Sequence, residues 1–186
     1  MSGLKTISDM TEIAFEWPLM AQSNISGFYL YRSNPNANNQ LNAIAKLEDK
    51  FITHYVDSNL APSTEYIYEL RTYDNQGNIS AEGERISVTT MPLIESVSFI
   101  QALYGLPNKI KVLWRPHPDL RVVSYILEKS ALSSNNWHEV ARINGRLNVE
   151  YIDNDVNPGQ SYRYRILVKT HNGIISAPSK VVDAQT

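Results

Sequence analysis

The sequence predicts an all-β protein built as two tandem seven-stranded sandwiches placed end to end. Three observations carry that expectation. Apolar residues alternate with a period of two, turn signals break the chain at short intervals, and the first half is written again in the second.

The duplication emerges when the chain is slid along itself. At a shift of 97, Ile13 falls on Ile110, Trp17 on Trp114, Phe28 on Tyr125 and Leu30 on Leu127. At a shift of 96, Tyr55, Asp57, Pro62, Tyr66 and Tyr68 fall on Tyr151, Asp153, Pro158, Tyr162 and Tyr164. Gly77, Ile79, Ser80 and Ala81 then match Gly173, Ile175, Ser176 and Ala177, and Thr90 matches Thr186. One residue of slack between the blocks is what a hairpin loop absorbs. A unit of roughly 90 residues is too long for a solenoid repeat and has the size of a domain.

Each element follows from alternation, because successive side chains of a strand point to opposite faces. In IAFEW, Ile13, Phe15 and Trp17 share one face. Little chain precedes them, so the first strand of this unit is expected to be frayed. In GFYLY, Phe28 and Leu30 point inward while Tyr29 and Tyr31 point outward; SNPNANN then turns the chain. Glu48 and Asp49 read as a hairpin loop. LAPST leads into EYIYELRTY, where Tyr66, Tyr68 and Leu70 face the core and Ile67, Glu69, Arg71 and Tyr73 face out. DNQGN is the next turn. The linker TTMPL carries a proline and lacks Gly/Ser stretches, which favours a stiff connection between domains 1–91 and 92–186. The second unit repeats the plan with IKVLW, SYILE and YRYRILV, turned by NPGQ and HNG.

Bulk properties narrow the function. With 42% hydrophobic and 19% charged residues the chain can bury a core, and a net charge of -2 offers no footprint for nucleic acid or anionic membrane. No apolar run is long enough to span a bilayer. The absence of cysteine removes disulfides, thiolate nucleophiles and zinc–thiolate sites. His54, His117, His138 and His171 are scattered, and no phosphate loop, nucleophile elbow or zincin motif is present. DNQGN offers oxygens around a glycine, yet it lacks the following glutamate of a calcium loop, so Asx-turn chemistry explains it better.

These units resemble fibronectin type III domains. The resemblance rests on Trp17 in IAFEW, Trp114 in IKVLW, and the doubled pattern LAPSTEYIYELRTYD and VNPGQSYRYRILVKT, and it covers essentially the whole chain. It implies immunoglobulin-like sandwiches in which Tyr66 and Tyr162 form tyrosine corners, with Trp17, Tyr68, Trp114 and Tyr164 in the core. Val156 departs from the family's usual leucine. YVDSNLAP and EYIYELRTYDNQGNISA look most like the family's bacterial exported members.

A non-catalytic protein-binding or scaffold module of the bacterial cell envelope or extracellular space is therefore expected, without enzyme activity, cofactor or metal. Its partner would be another envelope protein, not nucleic acid. Tyr29, Tyr31, Ile67 and Tyr73 form the candidate partner-binding stripe, because tyrosine gives stiff contact area with a polar tip. The matching face of domain 2 is mixed and basic. The alternatives are a carbohydrate-associated accessory module of a secreted enzyme, with Trp137 on an edge strand as the one free tryptophan, and an adhesion or receptor-like ectodomain. The resemblance implies an extracytoplasmic location: periplasm, outer-membrane lipoprotein or secreted, with a lipid anchor compatible with the native chain. MSGLKTISDM has no charged and apolar leader, so a leader would lie outside this sequence.

Overall fold

A computed structural model describes residues 3–33, 35–36 and 38–186. Part of the SNPNANN turn (Asn34 and Ala37) and of the start (Met1 and Ser2) lies outside the described residues. The chain divides into two compact units, Met1–Leu93 and Ile94–Thr186.

In the first unit β1 (Lys5–Ser8), β2 (Ile13–Glu16) and β5 (His54–Asp57) form one sheet in the order β1-β2-β5. The other sheet has the order β4-β3-β6-β7, from β3 (Ile25–Ser33), β4 (Leu41–Leu47), β6 (Glu65–Asp74) and β7 (Arg85–Thr89). The second unit repeats this with β8 (Ile100–Leu106), β9 (Lys109–Trp114) and β12 (Glu150–Asp153) in the order β12-β9-β8. Its four-stranded sheet runs β11-β10-β13-β14, from β10 (Val122–Ala131), β11 (His138–Asn144), β13 (Ser161–Thr170) and β14 (Val182–Gln185). All pairings are antiparallel. Three strands facing four, connected this way, make a seven-stranded immunoglobulin-like sandwich twice over. Among the described residues no helix is long and apolar enough to cross a membrane.

Two local expectations are corrected. β1 is not frayed: its four residues pair with β2, from Lys5↔Glu16 to Ser8↔Ile13. Glu48 and Asp49 do not sit in a hairpin, because β4 and β5 belong to different sheets and the segment crosses between them. Asp49 Oδ1 accepts from the Phe51 N–H at 2.8 Å and closes the bend.

Alternation produces the cores. Ile13, Phe15 and Trp17 meet Phe28, Leu30, Tyr66, Tyr68 and Leu70 across the first sandwich. Trp17 lies edge-on to Phe28 at 5.5 Å, and its counterpart Trp114 lies edge-on to Tyr125 at 5.3 Å. The duplication thus preserves an inter-sheet aromatic contact as well as single residues. Both indole N–H groups are buried without a hydrogen-bond partner among the described residues.

Candidate functional site

The two tyrosine pairs divide their work. The Ala61 N–H donates to Tyr66 Oη at 3.0 Å, and the Asn157 N–H donates to Tyr162 Oη at 3.0 Å. Each ring folds back over the turn preceding its strand, and each hydroxyl serves as acceptor for a backbone group five residues upstream. Thr90 and Thr186 close the same corners, donating to Ala61 O and Asn157 O at 2.6 Å.

Tyr68 and Tyr164 reach further inward. Tyr68 Oη donates to Asp57 Oδ2 at 2.8 Å, and Tyr164 Oη donates to Asp153 Oδ2 at 2.8 Å. A cation completes each cluster. Arg32 Nη1 donates to both Asp57 oxygens at 2.9 and 2.8 Å, whereas Lys129 Nζ sits 2.9 Å from Asp153 Oδ2. The cations also lie over the corner rings, Arg32 5.6 Å from the Tyr66 centroid and Lys129 5.1 Å from that of Tyr162. These duplicated clamps join the four-stranded sheet to the last strand of the three-stranded one. Burial, then the bond to a carboxylate, push the Tyr68 and Tyr164 hydroxyls well above the ordinary phenol range, so both stay protonated donors. The alignment of Asp57 with Asp153 was the signal for the acids, but nothing in a strand pattern marked Arg32 or Lys129 as their partners.

On the outward side of the first unit's larger sheet, Tyr29 and Tyr31 project from β3 and Tyr73 from β6. Their rings form one cluster, Tyr29 to Tyr73 at 5.3 Å and Tyr29 to Tyr31 at 6.3 Å. All three are half-buried rather than open, because cations cover the ends: Lys46 lies 5.2 Å over Tyr73 and Arg71 4.8 Å over Tyr31. Ile67, also half-buried, lies two residues beyond Glu69 on β6, with its N–H donated to Ser33 Oγ at 2.8 Å. The structure therefore groups the tyrosines and leaves Ile67 at the end of the face.

Glu69 breaks the simple parity reading. It projects outward as expected, yet its side chain is 0% exposed. Arg71 Nε donates at 2.6 Å, the Gly83 N–H at 2.7 Å and Arg85 Nε at 3.2 Å. Burial works to raise the Glu69 pKa, but these bonds outweigh it and hold the carboxyl below its usual range. Its cover comes from the segment leading into β7, which alternation along β6 cannot reveal.

The equivalent face of the second unit is built differently. Arg165 Nε donates to Glu128 at 2.6 Å, and the Arg163 and Arg165 guanidinium groups lie 5.3 and 4.3 Å over the Trp137 ring. Trp137 precedes the edge strand β11 instead of lying on it. At DNQGN, Asp74 Oδ1 accepts from the Gln76 and Asn78 N–H groups, the geometry of an Asx turn.

No family model matches the chain. A curated relative, exoglucanase B of Cellulomonas fimi, is 22% identical over 182 residues, covering 95% of this chain and 15% of that enzyme. The chain thus spans about one-seventh of the relative it matches. A two-domain fibronectin type III segment of chicken tenascin superposes with a TM-score of 0.46 at 16% identity, covering 99% of this chain and 98% of the other. The first three fibronectin domains of chicken CNTN1 give 0.43 at 15% identity, covering 98% and 64%.

Proposed function

We propose that this chain is a non-catalytic protein-binding or scaffold module of an exported bacterial protein, which docks a partner on the Tyr29–Tyr31–Tyr73 face with Ile67 at its end. Sandwiches of this kind generally act as binding or scaffold modules rather than enzymes. The observation that supports this face is the tyrosine cluster itself, with Tyr29 at its centre, 6.3 Å from Tyr31 and 5.3 Å from Tyr73, and with Lys46 and Arg71 over its ends. Aromatic and arginine side chains of this kind are what protein interfaces favour. The second unit lacks the cluster, so recognition would fall to the first. A comparison of envelope-protein recovery by the wild type and a Tyr29/Tyr31/Tyr73→Ser variant of matched thermal stability tests the reading. Equal recovery of every partner would remove the face from consideration.

The Cellulomonas fimi relative favours a second reading, an accessory module of a secreted carbohydrate-active enzyme. The tyrosine rings speak against direct sugar stacking: they are tilted by 43° and 56° to one another and give no flat platform. Trp137, overlaid by two guanidinium groups, is no better placed. Glycan-array binding that survives the triple substitution would favour the accessory reading.

A further inference from the structure

The two buried clamps differ in a way that their structural role does not require. In the second unit Lys129 and Ser130 both donate to acceptors within the chain. Lys129, 3% exposed, places Nζ 2.5 Å from Asp155 O as well as on Asp153, and Ser130 Oγ donates to Ser134 O at 2.8 Å. At the matching positions of the first unit stand Arg32 and Ser33. Arg32 holds Asp57 through Nη1 alone, and Nε and Nη2 have no acceptor among the described residues. Ser33 is 2% exposed; its Oγ accepts from the Ile67 N–H, and its own proton has no acceptor among the described residues.

These donors border a cleft of about 320 Å³ whose lining includes Arg32, Ser33, Asn42, Ile44, Thr64 and Tyr66. The Arg32 side chain is 30% exposed. A guanidinium is planar and trigonal, so fixing Nη1 on Asp57 turns the Nε–Nη2 edge away from that acid, with two parallel donors in carboxylate spacing. We infer that this cleft binds a carboxylate, the side chain of an acidic residue in an extended peptide, with Arg32 bridging Asp57 and the incoming acid. The Arg32–Asp57 pair is neutral overall, so an incoming acid is held by the directed Nε–H and Nη2–H donors, and a singly charged carboxylate adds the least excess charge. A peptide is favoured because Asn42 and Ile44 belong to β4, the outer strand of its sheet, whose free backbone edge can hold an extended segment beside the cleft. The volume leaves room for an acidic side chain and lies at the low end for small-molecule sites.

This site goes beyond the tyrosine-face reading, since Arg32 lies on the opposite side of β3 from Tyr31. The probe is N-acetyl-Ala-Glu-Ala-amide against its Gln counterpart, titrated into the full chain and followed by the Arg32 Nε–H and Ile67 N–H resonances. The Glu peptide should shift both saturably and the Gln peptide should not. Arg32→Lys copies the second unit, so the clamp and the fold survive while the free edge is lost, and affinity should fall by about tenfold or more. Tyr31→Ser should bind the Glu peptide like wild type, which keeps failure of the two readings apart. Equal shifts from both peptides, or undiminished binding by Arg32→Lys, would overturn the site. Binding of tri-galacturonate without the Glu peptide would overturn the peptide as its ligand.

Discussion

At the scale of single residues, the hydroxyl of Tyr68 carries more consequence than its ring position suggests. Tyr68→Phe keeps the core contact with Phe15, whose centroid is 4.6 Å away, and removes one donor from buried Asp57. Arg32 still satisfies both oxygens of that acid, so the cost should be about 1–3 kcal/mol. Urea denaturation would read it as a lower midpoint with an unchanged slope. Asp119 offers a pH test at the same scale. Hydrogen bonds from the Arg121 side chain and its N–H, opposed by burial, lower its pKa from 3.8 to about 2. A depressed acid contributes stability above its unfolded value and loses it as pH falls through the folded one. Wild type should therefore exceed Asp119→Asn in melting temperature at neutral pH. The gap should close between pH 3.8 and about 2. A gap unchanged across that window would mean the ion pair contributes nothing.

At the scale of elements, alternation told which way each side chain points but not what lies over it. Tyr29, Tyr31 and Tyr73 stand on the face their parity assigned, and Ile13, Phe28 and Tyr68 fill the core theirs assigned. Glu69 obeyed parity and was nonetheless buried, because Gly83 and Arg85 reach it from outside the repeat of two and join Arg71 on its carboxylate. The clamps were invisible for a related reason: Arg32 pairs with Asp57 across two sheets, and no local pattern encodes a contact 25 residues away. Gly27 is another such case. The β3–β6 register slips between Ile25 and Gly27, and a Cβ on Gly27 would lie 2.1 Å from Leu47 O and 2.7 Å from the Tyr73 ring. Only glycine lets Tyr73 lie across β3 to meet Tyr29. Gly27→Ala should cost about 1–3 kcal/mol by overpacking. It should also displace Tyr73, visible as lost near-ultraviolet dichroism from the tyrosine cluster.

At the scale of the whole molecule, each unit owns a complete set of parts. Each has three strands facing four, a tryptophan against an aromatic ring, a tyrosine corner and a cation–aspartate–tyrosine clamp. A unit with its own core and its own polar cross-brace has what it needs to fold as a domain. We therefore propose that the two unfold as separate cooperative units, with damage to one confined to it. Ile166 is fully buried in the second unit, and Ile166→Ala should cost about 2–5 kcal/mol there. Calorimetry on the full chain should then show one transition moved several degrees downward and the other in place. Hydrogen exchange should agree, with faster exchange at Val168 and Leu127 and no change at Leu30 and Leu70. If both transitions moved together, the units would share one cooperative fold, and the duplication would have produced a single folding unit from two sandwiches.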